Sequence, residues 1–308
     1  MGNMPDEQLP ELPRGIALAW GIAAAPQRGP KREMSVERIV ETAVELADVE
    51  GIGAVSMSAV ASRLGFTPMS LYRYVSAKDD LLLLMQEEAT GLPPEEFRAE
   101  GGWRARLGVL FGAQVEIYLR HPWILSLPIS GSPITPNSSA WLDALLESLA
   151  GTPLSQEERI AVSLLVSGHA RWYGTVLAGY SEAAREGGAS AEEISERESA
   201  LYDLVIVADE FPALRRAIDA GVFVSVSDPF LFGIERIFDG VEHYIAGLDA
   251  GASHEEKAGG VILDDVEVAG DQRYREAQRA VLQAEKALRA ARKAERQALR
   301  EARERLQG

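Results

Sequence analysis

The chain has 308 residues, 47 Asp and Glu against 31 Lys and Arg, four His and no Cys. That length is ample for two domains at roughly 100–200 residues each, and the missing thiols exclude disulfides, a cysteine nucleophile and Cys-ligated zinc or iron–sulfur centres. A formal charge of −16 argues against indiscriminate binding to polyanions, and 46% apolar with 25% charged residues excludes wholesale disorder.

Residues 1–30 read as a proline-punctuated arm that docks on the body or stays mobile. Its apolar stretch ends in Ala23–Ala24–Ala25, but the preceding Asp6, Glu7 and Glu11 are acidic where a secretory signal is basic. Arg28, Lys31 and Arg32, just before the first helix, are candidates to follow phosphate or a minor groove. From Ser35, apolar residues at Val36, Ile39, Val40, Ala43, Val44, Leu46 and Ala47 have helical spacing, with Ser35 as a partial cap and Gly51 and Gly53 as the stop. A second short helix, Ser56–Leu64, has one apolar face of Met57, Val60, Ala61 and Leu64. Gly65 breaks it, and Thr67 opens a third helix with Pro68 at its first position, where a missing N–H costs nothing. Leu71 and Val75 form its buried face, and Thr67, Pro68, Ser70, Arg73 and Tyr74 are expected outside. A fourth helix runs from near Ala77 to about Ala89, ended by Gly91, Pro93 and Pro94.

Beyond Trp103 a larger helical domain is predicted, with helices near 103–119, 139–150, 156–180, 191–207 and 229–247 and shorter pieces near 122–128 and 212–220. Val222–Val226 is the one strand-like run. Residues 271–306 form a long helix without Gly or Pro, in which Tyr274, Ala277, Val281, Ala284, Leu288, Ala291, Glu295, Ala298 and Ala302 make a weak heptad seam. That helix stands as a solvated helix, as a pairing element with a partner chain, or as a basic arm against the acidic body. The fold class is all-α: an arm (1–30), a helix-turn-helix domain (31–92), a larger helical domain (93–248), a linker (249–270) and a charged helix (271–308). No run of about 18 apolar residues occurs, so neither a spanning helix nor a membrane partner is expected.

Charge placement narrows the reading. Residues 271–308 carry 11 basic and 6 acidic side chains, leaving 20 and 41 for residues 1–270, a net of −21. Within that acidic body, Gly51–Lys78 holds no carboxylate and three cations, Arg63, Arg73 and Lys78. At the chain's mean density roughly four acids belong in such a window, so it marks a surface that avoids negative charge.

The acid-free window coincides with two short helices joined by a tight turn, the helix-turn-helix pattern. In such a unit the second helix enters the major groove, where hydroxyls, an Arg and an aromatic suit base edges, thymine methyls and phosphates. Helix N-termini near Ser58 and Lys78 offer N–H groups to phosphate. Periodicity alone leaves a plain helical hairpin open, and the residue pattern goes further. Val60 and Ala61, then Leu64–Gly65, then Leu71–Tyr72–Arg73–Tyr74–Val75 with Lys78, Leu81 and Leu82 closely resemble the DNA-binding unit of the tetracycline-repressor (TetR) family.

That resemblance implies that Ser58, Thr67, Pro68, Ser70, Tyr72, Arg73, Tyr74 and Lys78 meet DNA, while Leu64, Leu71 and Val75 are core. Phe211–Ile218, Pro229–Glu235 and Val166–His169 resemble the regulatory domain of the tetracycline-repressor class, so the likeness covers about 35–248. It implies a cytoplasmic homodimer, its bundle built from about 157–180 and 229–247. It also implies a one-component repressor, released from a palindromic operator in double-stranded DNA by a small organic effector. Pro128 stands where that class has a metal-binding His, and Leu177 where it has an acidic metal-proximal residue, so no metal and no cofactor is expected.

The effector pocket is expected to be mostly apolar, walled by Phe111, Val115, Trp123, Leu165, His169, Trp172 and Tyr173, with the Pro128–Pro136 loop as its mouth. Aromatics with few polar groups describe such pockets, although each of these residues also reads as core or dimer seam. His121 reads as a helix-end residue, and His243 and His254 as surface. No H-E-x-x-H, G-x-S-x-G, G-x-G-x-x-G or Walker sequence occurs, and the pairs Glu157–Glu158, Glu192–Glu193 and Glu255–Glu256 read as helix starts or solvated faces, so no enzyme is expected. The rival readings are a helical small-molecule-binding enzyme and an interaction protein working through its last helix.

Overall fold

A computed structural model describes residues 12–22, 34–129, 134–188, 190–225, 227–254 and 271–307. Among them are twelve α-helices, four 3₁₀ segments and no strand. The chain divides into two compact units, Met1–Ser253 and His254–Gly308.

The first unit opens with α1 (Arg14–Ala19), followed by α2 (Val36–Glu50), α3 (Met57–Leu64), α4 (Pro68–Leu71) and α5 (Lys78–Thr90). Ser35 Oγ accepts the Arg38 N–H at 3.2 Å to start α2, and Ser56 Oγ accepts the Ala59 N–H at 3.1 Å to start α3. Gly65 then turns the chain at φ 76°, a left-handed conformation that a side chain disfavours. The third predicted helix is only one α-turn long. The N–H groups of Tyr74 and Val75 both donate to the Leu71 carbonyl, at 2.8 and 3.0 Å, so the helix winds down there and Val75 returns to the core. Leu71 and Val75 are fully buried, beside Ile39, Ala43, Val60, Ala61, Leu81 and Met85.

The described part of the arm docks on the body. α1 packs on α5 through buried Gly15, where an added Cβ would lie 2.8 Å from Asp80 Oδ1 and 3.0 Å from Leu83 Cδ2. Trp20 Nε1 donates to the Ile134 carbonyl at 2.8 Å. Arg28, Lys31 and Arg32 lie outside the described residues.

The rest of this unit comprises α6 (Trp103–Arg120), a 3₁₀ turn (Pro122–Ser126), α7 (Pro136–Ser148), α8 (Gln156–Gly187), α9 (Ala191–Val205), α10 (Pro212–Asp219), a second turn (Val222–Val224) and α11 (Pro229–Asp249). A second core joins Phe97, Leu107, Leu110 and Phe111 to Trp141, Leu145, Val166, Ala170, Ile234 and Phe238. α6 and α8 approach closely, because a Cβ on Gly174 would come within 2.7 Å of Tyr118 Cβ. α8 continues past residue 180, since Gly179 in a helix interior costs only about 1 kcal/mol, and it stops at Gly188, φ 61°. Val222–Val224 forms a 3₁₀ turn rather than a strand, entered through left-handed Gly221. The second unit holds α12 (Gln272–Gln307), whose described side chains are almost all exposed.

Candidate nucleic-acid interface and effector site

α4 stands on Leu71 and Val75 and turns its other side outward. Ser58, Thr67, Tyr72, Arg73 and Lys78 are exposed, whereas Pro68, Ser70 and Tyr74 are half-buried. Tyr74, expected outside, packs against the first core, because the tight turn after Leu71 swings it inward alongside Val75. Thr67 and Ser70 share a hydroxyl–hydroxyl hydrogen bond at 3.0 Å across the helix start. Arg63, the third cation of the window, is held by Glu50 at 2.5 Å. Lys78 is the first residue of α5, and Ser58 the second of α3, so both sit where backbone N–H groups point outward. Sequence reasoning missed Met69. It is 74% exposed at the outer face of α4. Its apolar type reads as core, but its position two residues before Leu71, about 200° round the helix, was the available signal.

The seven predicted effector residues fall in three places. Phe111 and Val115 of α6 are buried and face His169 and Tyr173 of α8. Phe111 stacks on His169 and on Tyr173 at 5.7 and 6.3 Å between centroids, and Phe230 at the start of α11 stacks on Tyr173 at 4.8 Å. His169 Nε2 donates to the Phe230 carbonyl at 2.8 Å, which fixes its tautomer. A Cβ on Gly233 would press to 2.9 Å from His169 Cε1, so α11 crosses α8 here through a glycine. The Tyr173 phenol donates to Asp228, whose other carboxylate oxygen caps α11 by accepting the Phe230 and Leu231 N–H groups at 2.8 and 3.0 Å. Burial, then the Asp228 carboxylate, pushes the Tyr173 phenol up to about 12, so it remains a donor at neutral pH. Nearby, Gln114 Nε2 donates to Ser167 at 3.2 Å, while Gln114 Oε1 is buried without a partner.

Leu165 and Trp172 turn to the outer face of α8, where the Trp172 ring lies 6.4 Å from that of Phe230 between centroids. Trp172 is 60% exposed, and with exposed Leu164, Leu165, Leu231 and Phe232 it forms an apolar surface on α8 and α11.

Trp123 belongs to a third place. Its ring is in the first core, and its Nε1 donates to Asp48 of α2 at 2.7 Å. Asp48 Oδ1 also bonds His121 Nδ1 at 2.7 Å. The same 3₁₀ turn is gripped from α8 by Arg171, which donates to the carbonyls of Ile124, Leu125 and Leu127 at 3.4, 3.1 and 3.2 Å. A polar chain therefore runs from α8, two residues past His169, to α2, the helix that precedes the helix-turn-helix. No sequence pattern announces it, since its hydrogen-bonded members lie between 44 and 75 positions apart, though Asp48 was available as a carboxylate beside an apolar helix face.

Comparison with known proteins fits this geometry. Residues 39–85 match the bacterial regulatory proteins of the tetR family, and residues 94–245 match the tetracyclin repressor-like C-terminal domain. The transcriptional repressor DrrR1 of Streptomyces coeruleorubidus is 31% identical over 239 residues, 77% of this chain and 87% of that protein. An HTH-type transcriptional regulator of Saccharopolyspora erythraea is 29% identical over 58% of this chain and 76% of its own. Apo ActR of Streptomyces coelicolor superposes with a TM-score of 0.57 at 21% identity, covering 72% of this chain and all of that one, a likeness of fold. The matches to both halves, with a repressor 31% identical along most of its length, show that the chain belongs to the tetR family of bacterial regulatory proteins.

Proposed function

We propose that two copies of this DNA-binding transcriptional repressor grip a palindromic operator in double-stranded DNA in the cytoplasm, and that a small organic effector releases them. The observation that carries this reading is the exposed, acid-free α3–α4 surface, set on fully buried Leu71 and Val75 and linked through Asp48 to the helix that carries His169. Arg73 is the candidate for base contact and Lys78 for phosphate. The α8–α11 apolar surface supports a homodimer, since Trp172 and Phe232 at 60% and 63% exposed need cover. Leu165 and Trp172 fit that seam, and Trp123 fits the joint with α2. The effector set therefore contracts to Phe111, Val115, His169, Tyr173 and Phe230, with Gln114 and Asp228 as polar partners. Crystals of ActR with (S)-DNPA and with actinorhodin support a small organic ligand.

The rings around His169 stack on one another, so a ligand entering there must separate them and exchange internal hydrogen bonds for its own. Because α8 also holds the 3₁₀ turn through Arg171, a shift of α8 passes to Asp48 and to the spacing of the two DNA-reading units. An effector that favours the wrong spacing moves the population off DNA. Selection from random duplexes tests the reading: it should enrich a palindrome with half-site centres about 34–36 Å apart. Recovery without any enriched sequence overturns it.

A further inference from the structure

α12 carries the reverse of the body's charge, and its cations are ordered. Eight described basic side chains, Arg273, Arg275, Arg279, Lys286, Arg289, Arg292, Lys293 and Arg305, are exposed on it. Arg279, Lys286 and Lys293 recur every seven residues. At 1.5 Å per residue that is a row with steps of about 10.5 Å along one side of the helix. The opposite side is mostly alanine, Ala277, Ala284, Ala291 and Ala298, with Val281 and Leu288 exposed among them. The acids are placed away from the row or already engaged. Glu285 reaches Arg289 at 3.7 Å, Glu276 accepts from Gln272 at 3.0 Å, and Glu295 falls among the alanines. Among the described residues, Arg279, Lys286, Arg292 and Lys293 have no carboxylate partner. A helix that only needed solubility would pair such charges at i,i+4, a device worth a few tenths of a kcal/mol each, and these four described cations are not so paired.

We infer that α12 is an auxiliary polyanion-binding arm whose ligand is the phosphate backbone of duplex DNA, read without regard to sequence. The inference rests on the DNA-binding reading of α3–α4 for its biological use, but not for its measurement. B-DNA carries one phosphate charge per about 1.7 Å of axis, so a basic row on a helix of 36 residues, about 54 Å long, matches a continuous line of ligand without needing register. The arm adds affinity and salt dependence, and α4 supplies the choice of sequence. In a chain of net charge −16, a concentrated basic element lets the body stay acidic while one part seeks DNA.

The test uses the full chain with Arg279→Gln, Lys286→Gln, Arg292→Gln and Lys293→Gln combined, glutamine keeping the helix propensity of the residues replaced. Binding to a random duplex and to the selected operator is measured by anisotropy between 50 and 200 mM salt. For each chain, losing four phosphate contacts should lower the salt slope on random duplex by about 3.6, which makes the salt-driven loss of affinity across that range about a hundredfold smaller. The preference for operator over random duplex should rise or hold, because only the shared, sequence-blind part is removed. An unchanged slope on both duplexes, or tighter binding by the variant, overturns the inference. An unchanged slope with a changed oligomeric state overturns it in favour of a second copy of the helix as partner. Failure of the α3–α4 reading would look different. Neither protein would prefer any sequence, while the slope difference on random duplex would persist.

Discussion

The DNA-reading turn and the aromatic cluster around His169 are built on opposite plans. At α4 the chemistry faces outward. Arg73 and Tyr72 are exposed on a single turn, and Leu71 and Val75 beneath it are fully buried. Around His169 almost every polar group already has a partner: His169 holds the Phe230 carbonyl, Tyr173 holds Asp228, and Asp228 holds the start of α11. A reader of DNA needs rigidity without occupancy, since its partners arrive complete in the groove. An effector site of the kind proposed around His169 needs internal bonds that a ligand can take over. Buried, unpartnered Gln114 Oε1 is the exception in that cluster, and a donor on an effector would satisfy it.

Breaking the support beneath the reader should have the largest effect. Leu71→Ala should cost about 2–5 kcal/mol of stability in denaturant titration and abolish operator binding, because the turn loses the side chain that seats it. A variant that keeps both would show that α4 is held from elsewhere. Arg73→Ala leaves the seat intact and should cost about 1–3 kcal/mol of operator affinity, with relaxed choice at one position per half-site. Full affinity would remove Arg73 from the interface. Lys78→Ala, in contrast, should weaken all duplexes evenly and reduce the salt slope by about one.

The sensor side calls for subtler changes. Asp48→Ala strips the acceptor from Trp123 and His121 and should cost about 1–3 kcal/mol of stability. Operator binding without effector should survive it, while release by effector weakens; equal release in parent and variant would show that the signal bypasses Asp48. His169→Ala should bind operator like the parent and need more effector for release. Loss of thermal stability and operator binding together would mark His169 as core alone. The smallest expected effect is none at all: EDTA should leave release by effector intact, as Pro128 and Leu177 imply. Loss of response in EDTA, restored by magnesium, would show a metal at work in the sensor.

The reader was far more legible in the sequence than the sensor. Helices α2 to α5 announce themselves by short-range signals, such as the caps Ser35 and Ser56, the left-handed Gly65 and the 3.6-residue spacing of Ile39, Ala43 and Ala47. Tyr74 escaped that logic because two N–H groups, its own and that of Val75, donate to the Leu71 carbonyl, which ends the helix early and rotates everything after it. The sensor depends on long-range placement. His169, Trp172 and Leu165 share helix α8 and similar chemistry, yet a rotation of some 40–60° about its axis separates the face toward Phe111 from the bare apolar surface. Composition is blind to that angle. Trp123 illustrates the same limit, since aromatic type placed it with the ligand while its indole N–H found Asp48, 75 positions earlier.

Asp48 has one further consequence. A single carboxylate oxygen serves donors from both His121 and Trp123, and nothing in that arrangement favours one direction of influence. Whatever factor the effector takes from operator affinity, bound operator must take from effector affinity, about 5- to 150-fold for couplings of about 1–3 kcal/mol. In the proposed coupling through Asp48, DNA therefore sets the sensitivity of its own sensor. A cell offering more operator copies, or more duplex of any sequence that engages the reader in its binding spacing, needs a higher dose of effector before the genes respond, so the threshold of the switch is written partly in the genome.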